Sequence, residues 1–119
     1  MKRDFQPVDR EAILERLARL PLSTWSYKTE ATRARHIGPM AQDFKATFGV
    51  GSADTTILQV DADGVAFAAI QALHDEVMRL ERRNAELEKQ LAALRAAIAR
   101  DDAHHGERPA RDPRARDQR

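Results

Sequence analysis

Apolar residues recur every three or four positions along the last third of the chain, from Ile70 to Ile98. They fill positions a and d of four heptads, and eight of these nine positions are Ile, Leu or Val. This pattern predicts a long helix that forms a coiled coil. No other part of the chain is large enough to cover the stripe, so we expect it to meet other chains. We call these nine positions the seam: Ile70, Leu73, Val77, Leu80, Asn84, Leu87, Leu91, Leu94 and Ile98.

The orientation of the predicted coil rests mainly on Asn84, the one polar residue of the seam. A lone buried amide prefers to face its own copy, which favours parallel, in-register association. The flanking charges do not decide the orientation of the chains. In a parallel coil Arg83 would meet Glu88, which is attractive, whereas Glu76 would meet Glu81, which is repulsive. β-Branched residues at a with Leu at d favour two strands, although a leucine also occurs at a. The heptads alone therefore slightly favour a dimer over a trimer.

Shorter patterns precede the seam. Asp9 is a predicted N-cap for a helix whose apolar residues recur at helical spacing until Pro21 ends it. Residues 22–28 and 34–37 are expected to pair as an antiparallel hairpin. The alternation of the first strand places Trp25 and Tyr27 on one face.

A second helix is predicted after Gly38, with Pro39 at its first position and Gly49 or Gly51 as its left-handed cap. Residues 55–60 then form a short strand or an extended link, and Asp61 or Asp63 caps the long helix. The Ala-rich start of that helix is expected to be buried on several faces, against the hairpin and the second helix. The residues predicted to pack the head are Trp25, Tyr27, Ile37, Pro39, Met40, Phe44, Phe48 and Phe67.

These elements give a mainly α fold with a small antiparallel β-hairpin and a long C-terminal helix that forms a parallel coiled coil. Four zones follow. Residues 1–8 are a polar lead, 9–69 a small α+β head, 70–100 the coiled coil, and 101–119 a tail. The tail has many charges and no large apolar residue, so it is expected to be disordered.

The composition of the chain argues against several classes of function. A net charge of +1 gives no general case for binding nucleic acid or an anionic membrane. The chain has no cysteine, which excludes disulfides and thiolate chemistry. Asp61-Ala-Asp63-Gly64 lacks the later ligands of a calcium loop, so no metal or cofactor is expected. The N-terminus has no apolar region typical of a signal peptide, and no apolar run is long enough for a membrane span.

Three segments carry a family resemblance: "LPLSTWSYKTE", "RHIGPMAQDFKATFGVG" and "VDADGVAFAAIQAL". In this order and before a coiled coil, they resemble the C-terminal intramolecular chaperone domain of phage endosialidases, tail spikes and tail fibres. The resemblance covers about residues 2–98. It implies a homotrimer that brings a fibrous parent protein into register for folding, in the cytoplasm of a bacterial host, before the parent reaches a virion or cell surface. We follow the resemblance and expect three chains, against the slight preference of the heptads.

The resemblance also implies self-cleavage by a Ser-x-x-x-x-Lys dyad, in which the lysine is the general base. Lys2 aligns with that lysine, and the serine would precede Met1, so the chain as given is not expected to cleave itself. His36 is a second candidate, as a polar group near the cleavage site. The alternative for His36 is a structural hydrogen bond at the hairpin edge, and for Lys2 a solvated terminal lysine. Two other hypotheses for the function stay open: an active autoprotease in a longer natural chain, and a dimeric coiled-coil adaptor.

Overall fold

A computed structural model describes residues 1–106 of the chain. It contains three helices and one two-stranded antiparallel sheet in this part of the chain. The predicted class, mainly helical with an antiparallel hairpin and a long C-terminal helix, is confirmed. The elements in chain order are α1 (Arg10–Arg19), β1 (Ser23–Trp25), β2 (His36–Gly38), α2 (Ala41–Phe48) and α3 (Gln59–Gly106).

The first helix begins as its sequence predicts. A carboxylate oxygen of Asp9 accepts a hydrogen bond from the backbone N–H of Ala12 at 3.1 Å, which satisfies one of the free donors of the first turn. The helix ends at its C-cap Leu20, immediately before Pro21, whose ring cannot continue a helix. Asp9 is therefore confirmed as the N-cap.

The hairpin is shorter than predicted, with three residues in each strand. Thr24 is paired with Ile37 and Trp25 with His36. Arg35 donates to the backbone oxygen of Thr24 at 3.1 Å and to its hydroxyl at 2.7 Å, and so ties the second strand back to the first.

Two predicted helix starts, those of the second and third helices, are wrong. Pro39 precedes the N-cap of α2, which is Met40, so the proline lies outside the helix. The long helix starts at Gln59, where the Leu58 carbonyl accepts the first backbone bonds at 3.1 Å. Asp61 therefore lies in the first turn, where its charge suits the helix dipole, and neither Asp61 nor Asp63 is the cap. The segment before α3 contains no strand, and Gly49 is the left-handed cap of α2, with φ of +65°.

Residues 101–106, which were predicted as part of a disordered tail, are the last helical residues of α3. The helix continues because aspartate, alanine and histidine are tolerated there, and nothing before Gly106 breaks it. The remainder of the predicted tail lies outside the described residues.

The core of the head joins three elements of the chain. Leu20, Phe44 and Val65 are buried together, and each is at most 7% exposed. The rings of Phe44 and Phe48 lie 5.0 Å apart between centroids. Partly buried side chains pack around this core: Ile13, Leu17, Phe48, Ile57 and Ala62.

The chain divides into two compact units, Met1–Met78 and a second that begins at Arg79. In the first unit, three alanines of α3 (Ala68, Ala69 and Ala72) are buried. Arg10 of α1 also reaches Asp75 at 3.0 Å. The second unit, as far as it is described, is helical throughout. The first three seam positions thus belong to the same unit as the head.

Candidate functional site

The seam is exposed along its whole length in the single chain. Its eight apolar side chains are each between 42% and 63% exposed, and Asn84 is exposed as well. Exposed large apolar residues that recur at helical spacing on one helix mark a surface for another chain. The prediction of a long helix carrying this stripe is confirmed, whereas the number and direction of the chains that meet on it stay predictions.

A second feature is an uncharged groove in the head, with a volume of about 690 Å³. Trp25 and Tyr27 of the first hairpin arm, Ile37 of β2 and Met40 at the start of α2 line it, and Ala62 of α3 closes one side. The other lining residues contribute hydroxyl, amide or apolar groups. Since no charged side chain lines the groove, it suits an apolar partner better than an ionic ligand.

The aromatic residues beside this groove form a cluster with His36. The rings of Trp25 and His36 stack with centroids 4.9 Å apart, and the edge of Tyr27 meets Trp25 at 4.7 Å. Tyr27 and Trp25 therefore lie on one side of the hairpin, as their alternation predicts. Nε1 of Trp25 is buried and makes no hydrogen bond within residues 1–106.

His36 has a structural partner. Its Nε2 lies 2.9 Å from Oε2 of Glu30, in the loop between the strands, and both side chains are about one third exposed. This geometry matches the alternative of a histidine hydrogen-bonded at the hairpin edge. The sequence analysis missed Glu30, although an acid six residues before a histidine, across a hairpin loop, is a usable signal.

Lys2 lies in a segment without helix or strand and is exposed. No hydrogen bond or ion pair links it to His36 in the described part of the chain. The two candidate catalytic residues are therefore not brought together by a contact, and neither role is tested.

Several residues predicted to pack the head are exposed in the single chain. Phe44 is buried and Phe48 packs against the core, but Met40 is 40% exposed. Trp25 and Pro39 are half-buried. Three residues are more open because they lie on the groove or on the outer face of α3: Tyr27 (59%), Ile37 (76%) and Phe67 (65%). The Ala-rich start of α3 is thus covered on one side, not on several.

The pKa of the Asp54 carboxyl group is lowered. Nζ of Lys45 donates a hydrogen bond to Asp54 at 2.8 Å, and this bond, with the charge of Lys45, lowers the pKa of Asp54. The pair links α2 to the loop that leads to α3.

Residues 1–106 contain neither a candidate metal site nor a candidate membrane span. These residues contain no group of three or more His, Cys, Asp or Glu side chains placed to hold a metal ion. Nor does this part of the chain include a helix with the length and apolar character needed to span a membrane.

Comparison with known proteins finds a family match for the first part of the chain. Residues 1–49 match the family described as "Chaperone of endosialidase". This part of the chain is therefore similar to the endosialidase-chaperone family. The match contains α1, the hairpin and α2 and ends at Gly49, so it is shorter than the resemblance over residues 2–98. Among curated proteins and solved structures, nothing matches the chain.

Proposed function

We propose that the chain is an intramolecular chaperone domain that forms a parallel homotrimer and thereby brings a fibrous parent protein into register for folding. The parent would be a phage tail spike, tail fibre or surface protein that folds as an intertwined trimer. The observation that carries the proposal is the exposed seam of α3 in a chain whose first 49 residues match a chaperone family.

The seam provides the energy for association. Its eight apolar side chains are on average about half exposed in the single chain. Burial of half of such a side chain contributes roughly 1 kcal/mol, so the complete seam contributes on the order of 8 kcal/mol per chain. That contribution is enough to offset the entropy of association for a small helical oligomer.

Parallel, in-register pairing would supply the chaperone effect. It places the heads of all chains, and with them the parent segments that precede the heads, at one level. Strands of the parent then meet at a high effective concentration and in a common register. The slow step of a β-rich trimer, the pairing of distant segments, becomes a local one.

Solution mass tests the number of chains. Light scattering over a concentration series should give three times the 13.4 kDa mass of one chain. A stable dimer would instead support a coiled-coil adaptor and contradict the trimeric chaperone.

Orientation is testable because the chain has no cysteine of its own. Ile98→Cys should form disulfides between chains under mild oxidation, since equivalent a positions face one another only in a parallel, in-register coil. Ala96→Cys, at the outermost heptad position, is the matched control and should stay reduced. Equal cross-linking of the two variants would contradict the proposed arrangement.

Self-cleavage is a second function, and the family match over Lys2 favours it for a longer natural chain. In that chain a serine five residues before Lys2 would attack the scissile carbonyl while the lysine accepts its proton. The lysine would return the proton to the leaving amide nitrogen as the C–N bond breaks, and water would then hydrolyse the resulting ester. Expression with the upstream codons, followed by mass spectrometry of the products, tests this. Intact product would exclude cleavage. Normal cleavage in His36→Ala would remove His36 from the reaction.

A further inference from the structure

The groove of the head shares one residue, Ala62, with the long helix that carries the seam. Ala62 closes one side of the groove, and Ala66, Ile70, Leu73 and Val77 follow it at spacings of four, four, three and four residues. Residues at this spacing lie on one face of an α-helix. The groove and the first seam positions therefore form a continuous apolar surface within the first unit.

The head buries little apolar surface as a single chain. Among the described residues, only Leu20, Phe44 and Val65 are large and buried, and no side chain is fully buried. A domain of this size normally needs a larger core to be stable by itself. Apolar surface that the head leaves open is thus a candidate for burial in the assembly.

The open surface is large enough for a contact between chains. It comprises five side chains that are 40–76% exposed: Tyr27, Ile37, Met40, Phe67 and Ile70. With about 150–250 Å² for a large side chain, these groups present on the order of 500 Å². A standard interface buries about 800 Å² on each partner, a little more than half of it apolar.

We propose that the groove is a head-to-head contact site, filled in the oligomer by the first turns of α3 from a second copy of this chain. This inference rests on the proposed function, because the seam must first bring the helices together. Once Ile70 is paired, the partner helix runs along Ala66 and Ala62, whose small side chains allow close approach. Phe67 occupies position e, beside the seam, and faces the neighbouring chain. It is the large apolar side chain that can enter the groove, against Tyr27 and Ile37.

The single tryptophan of the chain reports on this contact directly, since Trp25 lines the groove. Acrylamide quenching should be about twofold weaker or more in the wild-type oligomer than in Leu87→Asp, because an interface core excludes solvent. Leu87 lies outside the head, so this variant removes association and leaves the groove intact. A wild-type trimer whose Trp25 is quenched as strongly as in Leu87→Asp would overturn the inference and leave the trimeric chaperone standing. A monomeric wild type would overturn both.

Phe67→Ser tests the residue itself, with Leu22→Ser as its control. Leu22 is similarly exposed, at 61%, but does not line the groove. Phe67→Ser should raise the quenching of Trp25 towards that of Leu87→Asp with helix content retained, whereas Leu22→Ser should match the wild type. Equal quenching in Phe67→Ser and the wild type would refute the assignment of Phe67 to the groove.

Discussion

A single charge in the seam should dissociate the oligomer, and Leu87→Asp is the sharpest form of this test. Leu87 is 44% exposed in the single chain, so its loss from the interface removes roughly 1 kcal/mol of burial per chain. The larger effect is the aspartate, whose burial without a partner costs several kcal/mol. In the proposed trimer three chains carry the change, so the association free energy falls by on the order of 10 kcal/mol. At about 1.4 kcal/mol for each tenfold change, the association constant drops by roughly seven orders of magnitude.

Sedimentation equilibrium at micromolar concentration is the assay, and Leu87→Asp should sediment at the 13.4 kDa of one chain. Ala85→Asp is the matched control, because it introduces the same residue, with the same charge and helix propensity, two positions before Leu87. Position 85 is the outward heptad position b. This control should keep the mass of the wild type. An unchanged mass for Leu87→Asp would refute the heptad assignment, and equal dissociation of both variants would show that charge, not the seam, governs association.

Three further outcomes are expected. Phe44→Ala should lower the stability of the head by about 3–5 kcal/mol, measured by denaturant unfolding, because it empties the centre of the core; a loss below about 1 kcal/mol would contradict that core. Asn84→Ile should raise the melting temperature of the oligomer while broadening its mass distribution, since a buried polar group exchanges stability for specificity; a sharper distribution would argue against the role of Asn84. The Asp54 carboxyl should titrate below its ordinary pKa by NMR, and Lys45→Met should restore it. The lowered folded-state pKa means that this pair stabilises the fold above the unfolded pKa and ceases to do so as the pH falls through the folded value.

Helices whose apolar residues recur at a regular spacing could be predicted from the sequence. The heptads fixed the long helix, and Asp9 with Pro21 bounded the first helix, because caps and apolar spacing act locally. The ends of the second and third helices could not be predicted in this way. A proline is compatible with N1 and with the positions before it, and the Leu58 carbonyl starts α3 before either aspartate.

The seam could be predicted from the sequence, whereas the groove could not. The seam lies on one helix, so its residues are related by spacing alone. The groove combines the hairpin, the start of α2, the following loop and Ala62, which are brought together only by the fold. The expectation that Phe67 packs inside its own head also depended on tertiary contacts, and in the single chain this side chain is 65% exposed.

Register follows from Asn84 by an energetic argument. If the chains pair in register, the amides of this residue meet at one level and can satisfy one another. A shift by one heptad instead sets each Asn84 against Val77 or Leu91, where its amide is buried without a partner. Each such amide costs about 1–3 kcal/mol, so a shifted trimer loses several kcal/mol relative to the aligned one. The apolar seam cannot make this distinction, since a one-heptad slip still places apolar residues together. The proposed alignment of parent chains therefore benefits from a polar position that weakens the coil itself.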